Sequence, residues 1–260
     1  MFDKQQYEPL SFSSLKAFSR SPLAFLHYKE GNKVETPAMR MGTLVHRAIL
    51  EPERYEKTCA VYDGRRGTTA YRDFVGANQG KDILTVKEAV EIRAISDSVS
   101  RHPYASEMIK NCDDYEMPFQ IEQCGIPHRG IIDGIGSWFM LDLKTTSSVH
   151  HYMLERNIYD QKYYMQAAIY QRAAHLMGYD HDCYFIVAVE SAAPHHVQVV
   201  ELEPHYIARG HLEWERLIER YKQWDGAPAH SHDSQEGWMM DAPGYAPALD
   251  LINDQREEQG

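Results

Sequence analysis

At Glu116 the hydrophobic period of the chain changes from three or four residues to two, and it stays at two as far as Lys144. Three extended runs follow one another, Met117 to Gln123, Ile126 to Asp133 and Ser137 to Lys144, with side chains alternating between two faces. Cys124-Gly125 and Gly134-Ile135-Gly136 lie between them as turn signals at hairpin spacing. An antiparallel three-strand meander is the simplest arrangement, so the chain has to build on a sheet that begins in its middle.

Around this block the sequence reads mainly as helix. Ser13 or Ser11 can cap a short helix through Phe18, and Ser21-Pro22 and Thr36-Pro37 each place Pro at a first helical position. Met41, Leu44, Val45 and Ala48 recur at three and four within a packed helix from Ala38 to Leu50, which ends just before Pro52. From Tyr62 to Lys81 the period dissolves, which fits a mobile basic loop or a poorly periodic helix. Thr85 with Glu88 forms a capping box for a helix to about Arg101, and a further turn or two follows His102-Pro103 up to Asn111. After the strands come a long helix from His151 or Leu154 to Met177, a buried strand Tyr184 to Val189, a strand His196 to Glu201 and a helix from Pro204 to Trp224. This is an α/β order without an internal repeat.

Composition excludes little. The 260 residues carry 27 Lys plus Arg against 38 Asp plus Glu, a net charge of −11, which counts weakly against DNA because affinity for a polyphosphate comes first from cations. A nucleic-acid enzyme needs only one positive groove, often with carboxylates at its floor. An apolar share of 43% rules out a wholly disordered chain. The longest apolar run is far short of the roughly 20 residues that span a bilayer, and Met1-Phe2-Asp3-Lys4-Gln5 lacks the character of a signal peptide. A soluble, cytoplasmic protein is expected. Cys59, Cys112, Cys124 and Cys183 contain no C-x-x-C pair, so free thiols are expected, and the adjacent pairs His150-His151 and His195-His196 do not share a face for a histidine-only metal site.

Chemistry concentrates in Gly130-Ile131-Ile132-Asp133 and Asp142-Leu143-Lys144-Thr145-Thr146. Asp142 and Lys144 are two apart on one strand and project from one face, and a hairpin brings Asp133 beside them. Carboxylates held together repel unless a cation lies between them. An oxygen-liganded Mg²⁺ (or Mn²⁺ in its place) answers that need, with the main-chain carbonyl of Leu143 as a further ligand. A neighbouring Lys can orient water for phosphodiester hydrolysis. The competing reading of Asp-x-Lys is an ordinary ion pair on a strand edge.

Two further stretches weigh against that plain reading. Gly42-Thr43-Leu44-Val45-His46 runs on to Leu50-Glu51-Pro52, and Gln166-Ala167-Ala168-Ile169-Tyr170 puts Gln and Tyr four apart on one helix face. With Ser13-Ser14-Leu15-Lys16-Ala17-Phe18 and Ser21-Pro22, they make the chain resemble the RecE-like (exodeoxyribonuclease VIII) family of phage nucleases within the PD-(D/E)XK superfamily, over about residues 7 to 225. The resemblance implies a restriction-endonuclease-like core, a central mixed β-sheet flanked by helices, with a helical N-terminal elaboration. It implies an Mg²⁺-dependent exonuclease that degrades linear double-stranded DNA from the 5′ end, leaving a 3′ overhang for a RecT-like single-strand annealing protein. On it, His46, Asp133 and Asp142 bind metal, Lys144 positions the attacking water, and Gln166 and Tyr170 hold the Lys or a DNA phosphate. Glu51 is a further candidate, as likely structural. A homo-oligomeric ring, trimer or tetramer, is implied as well.

Arg65, Arg66 and Arg72 are candidate contacts to a DNA end, since phosphate contacts give sequence-independent affinity, and Thr145 and Thr146 join them. The expected division is a nuclease domain over 1–228 and a tail over 229–260, where seven acids face Arg256 alone. Rival readings are a RecB-like or CRISPR-associated nuclease of single strands or flaps, which usually carries an iron–sulfur cluster, and a catalytically silent clamp on DNA ends.

Overall fold

In a computed structural model the chain is described over residues 4–31 and 35–229, so the expected acidic tail lies almost wholly outside the described residues. The elements begin with β1 (Leu10–Ser11) and α1 (Phe12–Arg20), where Ser11 and Ser14 form a capping box. Ser21 caps α2 (Pro22–Lys29) and Thr36 caps α3 (Pro37–Leu50), each with Pro in the first turn. An unexpected short helix, α4 (Pro52–Thr58), follows directly. The aperiodic stretch resolves into β2 (Cys59–Tyr62), a loop, α5 (Thr69–Ala77) and β3 (Asp82–Thr85), and β2 pairs with β3 in a separate parallel ribbon. The expected capping box starts α6 (Val86–Arg101), and α7 (Pro103–Lys110) follows.

The meander is present as β4 (Cys112–Gln123), β5 (Ile126–Gly136) and β6 (Phe139–Thr146). Cys124 and Gly125 turn the first hairpin with φ of 51° and 78°, the sign that a tight two-residue turn requires. Gly134-Ile135-Gly136 is not a turn. It continues β5, because these glycines make room for neighbours: a Cβ on Gly134 would lie 2.8 Å from Cys112 Sγ, and one on Gly136 would overlap the Phe139 ring. Ser137 and Trp138 make the turn instead.

The long helix after the strands is two, α8 (His151–Asp160) and α9 (Tyr163–Leu176), broken where Lys162 takes a left-handed conformation with φ 57°. They form the crossover that lets β7 (Cys183–Glu190) pair in parallel with β6. The edge strand β8 (Val197–Glu201) and α10 (Pro204–Gln223) complete the chain. The sheet is therefore mixed, in the order β1-β5-β6-β7-β8 with β4 along the other edge of β5.

Alternation along β6 separates two cores. Met140 faces a cluster built from α1, α2, α9 and α10, while Phe139, Leu141 and Leu143 face one built from α3, α6 and α7. Asp142 and Lys144 share the face of Met140, and so project toward α9. Among the described residues no helix is long and apolar enough to cross a membrane.

Candidate active site

One edge of β5 is shared by two partners. β6 pairs with it only at Gly134–Leu141 and Ile135–Met140, and β1 only at His128 and Arg129. Residues 130–133, Gly-Ile-Ile-Asp, occupy the gap, and there the two strands of the hairpin diverge. Ladder groups that this fork leaves unpaired need other partners. The N–H of Leu143 donates to Asp133 Oδ2 at 2.8 Å, and its carbonyl meets His46 Nε2 at 2.5 Å.

His46 reaches the fork because α3 runs close over β6. A Cβ on Gly42 would lie 3.1 Å from Thr145 Oγ1, and one helical turn later His46 meets the strand two residues back, at Leu143. Its Nε2 also lies 3.3 Å from Asp133 Oδ2, and its Nδ1 lies 3.4 Å from Glu116 Oε1. Glu116 stands opposite Asp133 in the register, between Tyr115–Gly134 and Met117–Ile132. Like charges directly opposite each other destabilise a sheet, and Glu116 has a left-handed φ of 48°, a strained state for a non-glycine residue. Both costs fall where His46, Glu116 and Asp133 bring ligand atoms within 4.8 Å of one another, the one such group among the described residues. Burial opposes a charge on His46, but the Asp133 carboxylate, then Glu116, push its pKa up to about 9. The nest selects positive charge.

Asp142 is 1% exposed. Its Oδ1 accepts from Lys144 Nζ at 2.6 Å and Gln166 Nε2 at 3.0 Å, while its Oδ2 has no protein partner. Burial pushes this carboxyl up to about 6 although Lys144 pulls the other way. Burial also works against the Lys144 ammonium, yet Asp142 and Asp133 hold its pKa above the ordinary lysine value. Lys144 sits 5.0 Å from the centre of the Tyr163 ring. The His46 imidazole, the Glu116 and Asp133 carboxylates and the Leu143 carbonyl, which His46 contacts, fit a divalent cation held mainly by oxygen, and Asp142, outside that group, adds a buried oxygen without a protein partner.

The structure thus brings together His46, Asp133, Asp142, the Leu143 carbonyl, Lys144 and Gln166. Gln166 holds Asp142 rather than the Lys144 amine. Tyr170 is buried, edge-on to Phe119 at 5.3 Å, and burial then Asp142 raise its pKa. Glu51 binds Arg54 at 2.8 Å, away from the ligand group but lining the same cleft of about 400 Å³ as His46 and Glu116. Thr146 is buried rather than offered to solvent: it is 7% exposed, and its hydroxyl is used by Ser148 and Asn157. Thr145 faces Gly42. Arg66 pairs with Glu88 at 3.3 Å, beside Arg40 of α3, about 9 Å along that helix from His46. Arg72 donates to Thr69, and Arg65 is exposed in the loop before α5. Glu116 was not anticipated. A lone acidic residue within a strand carries no motif, and its role follows from the pairing register, which sequence alone does not fix.

A sheet forked at paired acids with a lysine two residues on, crossed by a helix histidine, is the arrangement of a PD-(D/E)XK-like domain. Residues 11–234 match the family described as a "PDDEXK-like domain of unknown function (DUF3799)", and the chain belongs to that family. Among solved structures it is similar to a protein of Eubacterium rectale named "Putative exonuclease", with a TM-score of 0.59 and 13% identity over 86% of this chain and 87% of that one. At this identity the likeness shows a shared fold. No curated protein matches the sequence.

Proposed function

We propose that this protein is a cytoplasmic, divalent-metal-dependent exodeoxyribonuclease of the RecE type, acting 5′→3′ on linear double-stranded DNA and leaving 3′ overhangs for a RecT-like single-strand annealing protein. The observation that carries the reading is the fork, where Asp133, Asp142 and the Leu143 carbonyl converge beside Lys144. His46, Glu116, Asp133, Asp142 and the Leu143 carbonyl would hold Mg²⁺ or Mn²⁺. Such an ion, when bound, lowers the pKa of water and stabilises charge on phosphoryl oxygens. Lys144, fixed by Asp142 and the Tyr163 ring, orients the attacking water, and Gln166 keeps Asp142 in place. The water oxygen bonds to phosphorus as the bond to the 3′ oxygen breaks, giving a 5′-phosphate and a 3′-hydroxyl. The RecE assignment rests on the sequence motifs, and a ring of three or four copies follows from it.

A flap nuclease with an iron–sulfur cluster is disfavoured, since among the described residues the four cysteines do not converge. A silent clamp is disfavoured by the charge that the fork keeps buried at a cost. The deciding experiment incubates linear and covalently closed duplex DNA with Mg²⁺ or EDTA, using wild type and Asp142→Ala. Loss of linear DNA alone, in Mg²⁺ alone and with wild type alone, is expected. Digestion of closed circles or activity in EDTA sinks the assignment.

A further inference from the structure

The arginines on and around α3 are already neutralised: Arg47 pairs with Asp82, Arg54 with Glu51, and Arg40 and Arg66 with Glu88. Two basic side chains on α1 are not. Lys16 and Arg20 are four apart, on one face of α1, and among the described residues neither has a carboxylate partner. Like charges at this spacing oppose the helix. Arg20 is exposed in the last turn, where the helix dipole favours a cation, but Lys16 is half-buried in mid-helix and gains nothing there. Its amine meets only a neutral acceptor, Gln161 Oε1, at the corner between α8 and α9.

That corner is tied to the active site. Gln161 is followed by the left-handed Lys162 and then by Tyr163, whose ring carries Lys144. Lys162 is matched by Glu213, whereas Lys16 faces the charges of Lys144, Arg20 and Lys162. Burial and then those three cations hold its pKa below the ordinary lysine value. A half-buried ammonium, placed against its own electrostatics and offered only an amide oxygen, is organised for an anion that the described residues do not supply.

We propose that Lys16 and Arg20 of α1, with the Gln161 corner, form a phosphate seat that holds the backbone of the DNA strand entering the fork at Lys144. The proposal rests on the nuclease reading, and it adds the path of the strand on the α1 side of the site. Lys16 is a binding and positioning residue here, and the reaction proceeds at Lys144.

Binding is measured without turnover. A 20-base-pair duplex labelled at one end is titrated by fluorescence anisotropy across a salt series, with EDTA, for wild type, Lys16→Gln, Arg20→Gln, the double variant and Lys16→Arg. Each lost phosphate contact lowers the slope of log affinity against log salt by about 0.9. The double variant is expected to lose about 1.8 from the slope, and Lys16→Arg is expected to keep the wild-type slope. In Mg²⁺, Lys16→Gln should raise KM more than it lowers kcat. A wild-type slope in the double variant overturns the seat even when Mg²⁺-dependent cleavage is intact. A protein that cleaves no DNA but shows the slope change overturns the nuclease reading and leaves the seat standing. Loss of Lys16→Gln to misfolding would appear as a lowered melting temperature, and Arg20→Gln, at an exposed position, then decides the matter alone.

Discussion

Metal binding at the fork should expel a proton from His46. Without an ion the imidazole is held at a pKa of about 9 by Asp133 and Glu116, so at pH 7.5 most of it is charged by the ordinary titration relation. A ligand histidine has to be neutral, and binding therefore releases close to one proton per ion at this pH. Apparent affinity for Mg²⁺ or Mn²⁺ should rise nearly tenfold per pH unit from 7 to 8 and flatten above 9. Calorimetric titrations in buffers of different ionisation enthalpy count the proton, and His46→Gln should abolish it. The same shift has an opposite effect on the metal-free fold. A pKa raised from 6.5 to about 9 stabilises the folded state fully below pH 6.5, and this is lost as pH rises through 9, by an amount on the order of 3 kcal/mol. Proton release near zero at pH 7.5, with affinity independent of pH, refutes the placement of His46 in the metal nest.

Gln166→Ala leaves a buried carboxylate with one partner fewer; urea unfolding should show a loss of about 1–3 kcal/mol, and metal affinity or activity should fall roughly 10–100-fold. Gly42→Ala pits about 1 kcal/mol of helix propensity against a Cβ 3.1 Å from Thr145 Oγ1, so stability should change little while metal affinity, read by titration, falls as His46 is lifted from Leu143. Gly210→Ala would drive a Cβ into the carbonyl of Tyr164 where α10 crosses α9; a destabilisation of about 1–3 kcal/mol in denaturant unfolding is expected, without a change in metal affinity of the folded protein.

The strands and most helices are legible because their signals are local. Ser11, Ser21, Thr36 and Thr85 cap helices as their side chains allow, and Cys124-Gly125 can only turn. The errors arise where packing overrides a local signal. Gly134 and Gly136 read as turn residues, yet their missing side chains serve Cys112 and Phe139 across the strand. The break at Lys162 has no glycine or proline to announce it, because the Tyr163–Lys144 contact and the Glu213 ion pair stabilise it from outside the helix. Asp142 and Lys144 are legible as a pair because two-residue spacing fixes their face, and the hairpin adds Asp133 from the neighbouring strand. Glu116 is not, since its place opposite Asp133 depends on a ten-residue register and a strained φ.

The fork also concentrates charge at one point of an acidic chain. Continuing the β5–β6 ladder would satisfy Leu143 with main-chain groups and would be the more stable choice. Instead a carboxylate takes its N–H, a histidine takes its carbonyl, and Asp142 is buried with one oxygen unused. Each substitution of side chain for ladder adds negative charge or a lone pair at one point, and burial pushes Asp142 up to about 6 although Lys144 pulls the other way. Carboxylates elsewhere, at Glu51, Asp82 and Glu88, anchor arginines in place. Two kinds of carboxylate are thus distinct among the described residues: those that hold arginines of the protein and those gathered at the fork.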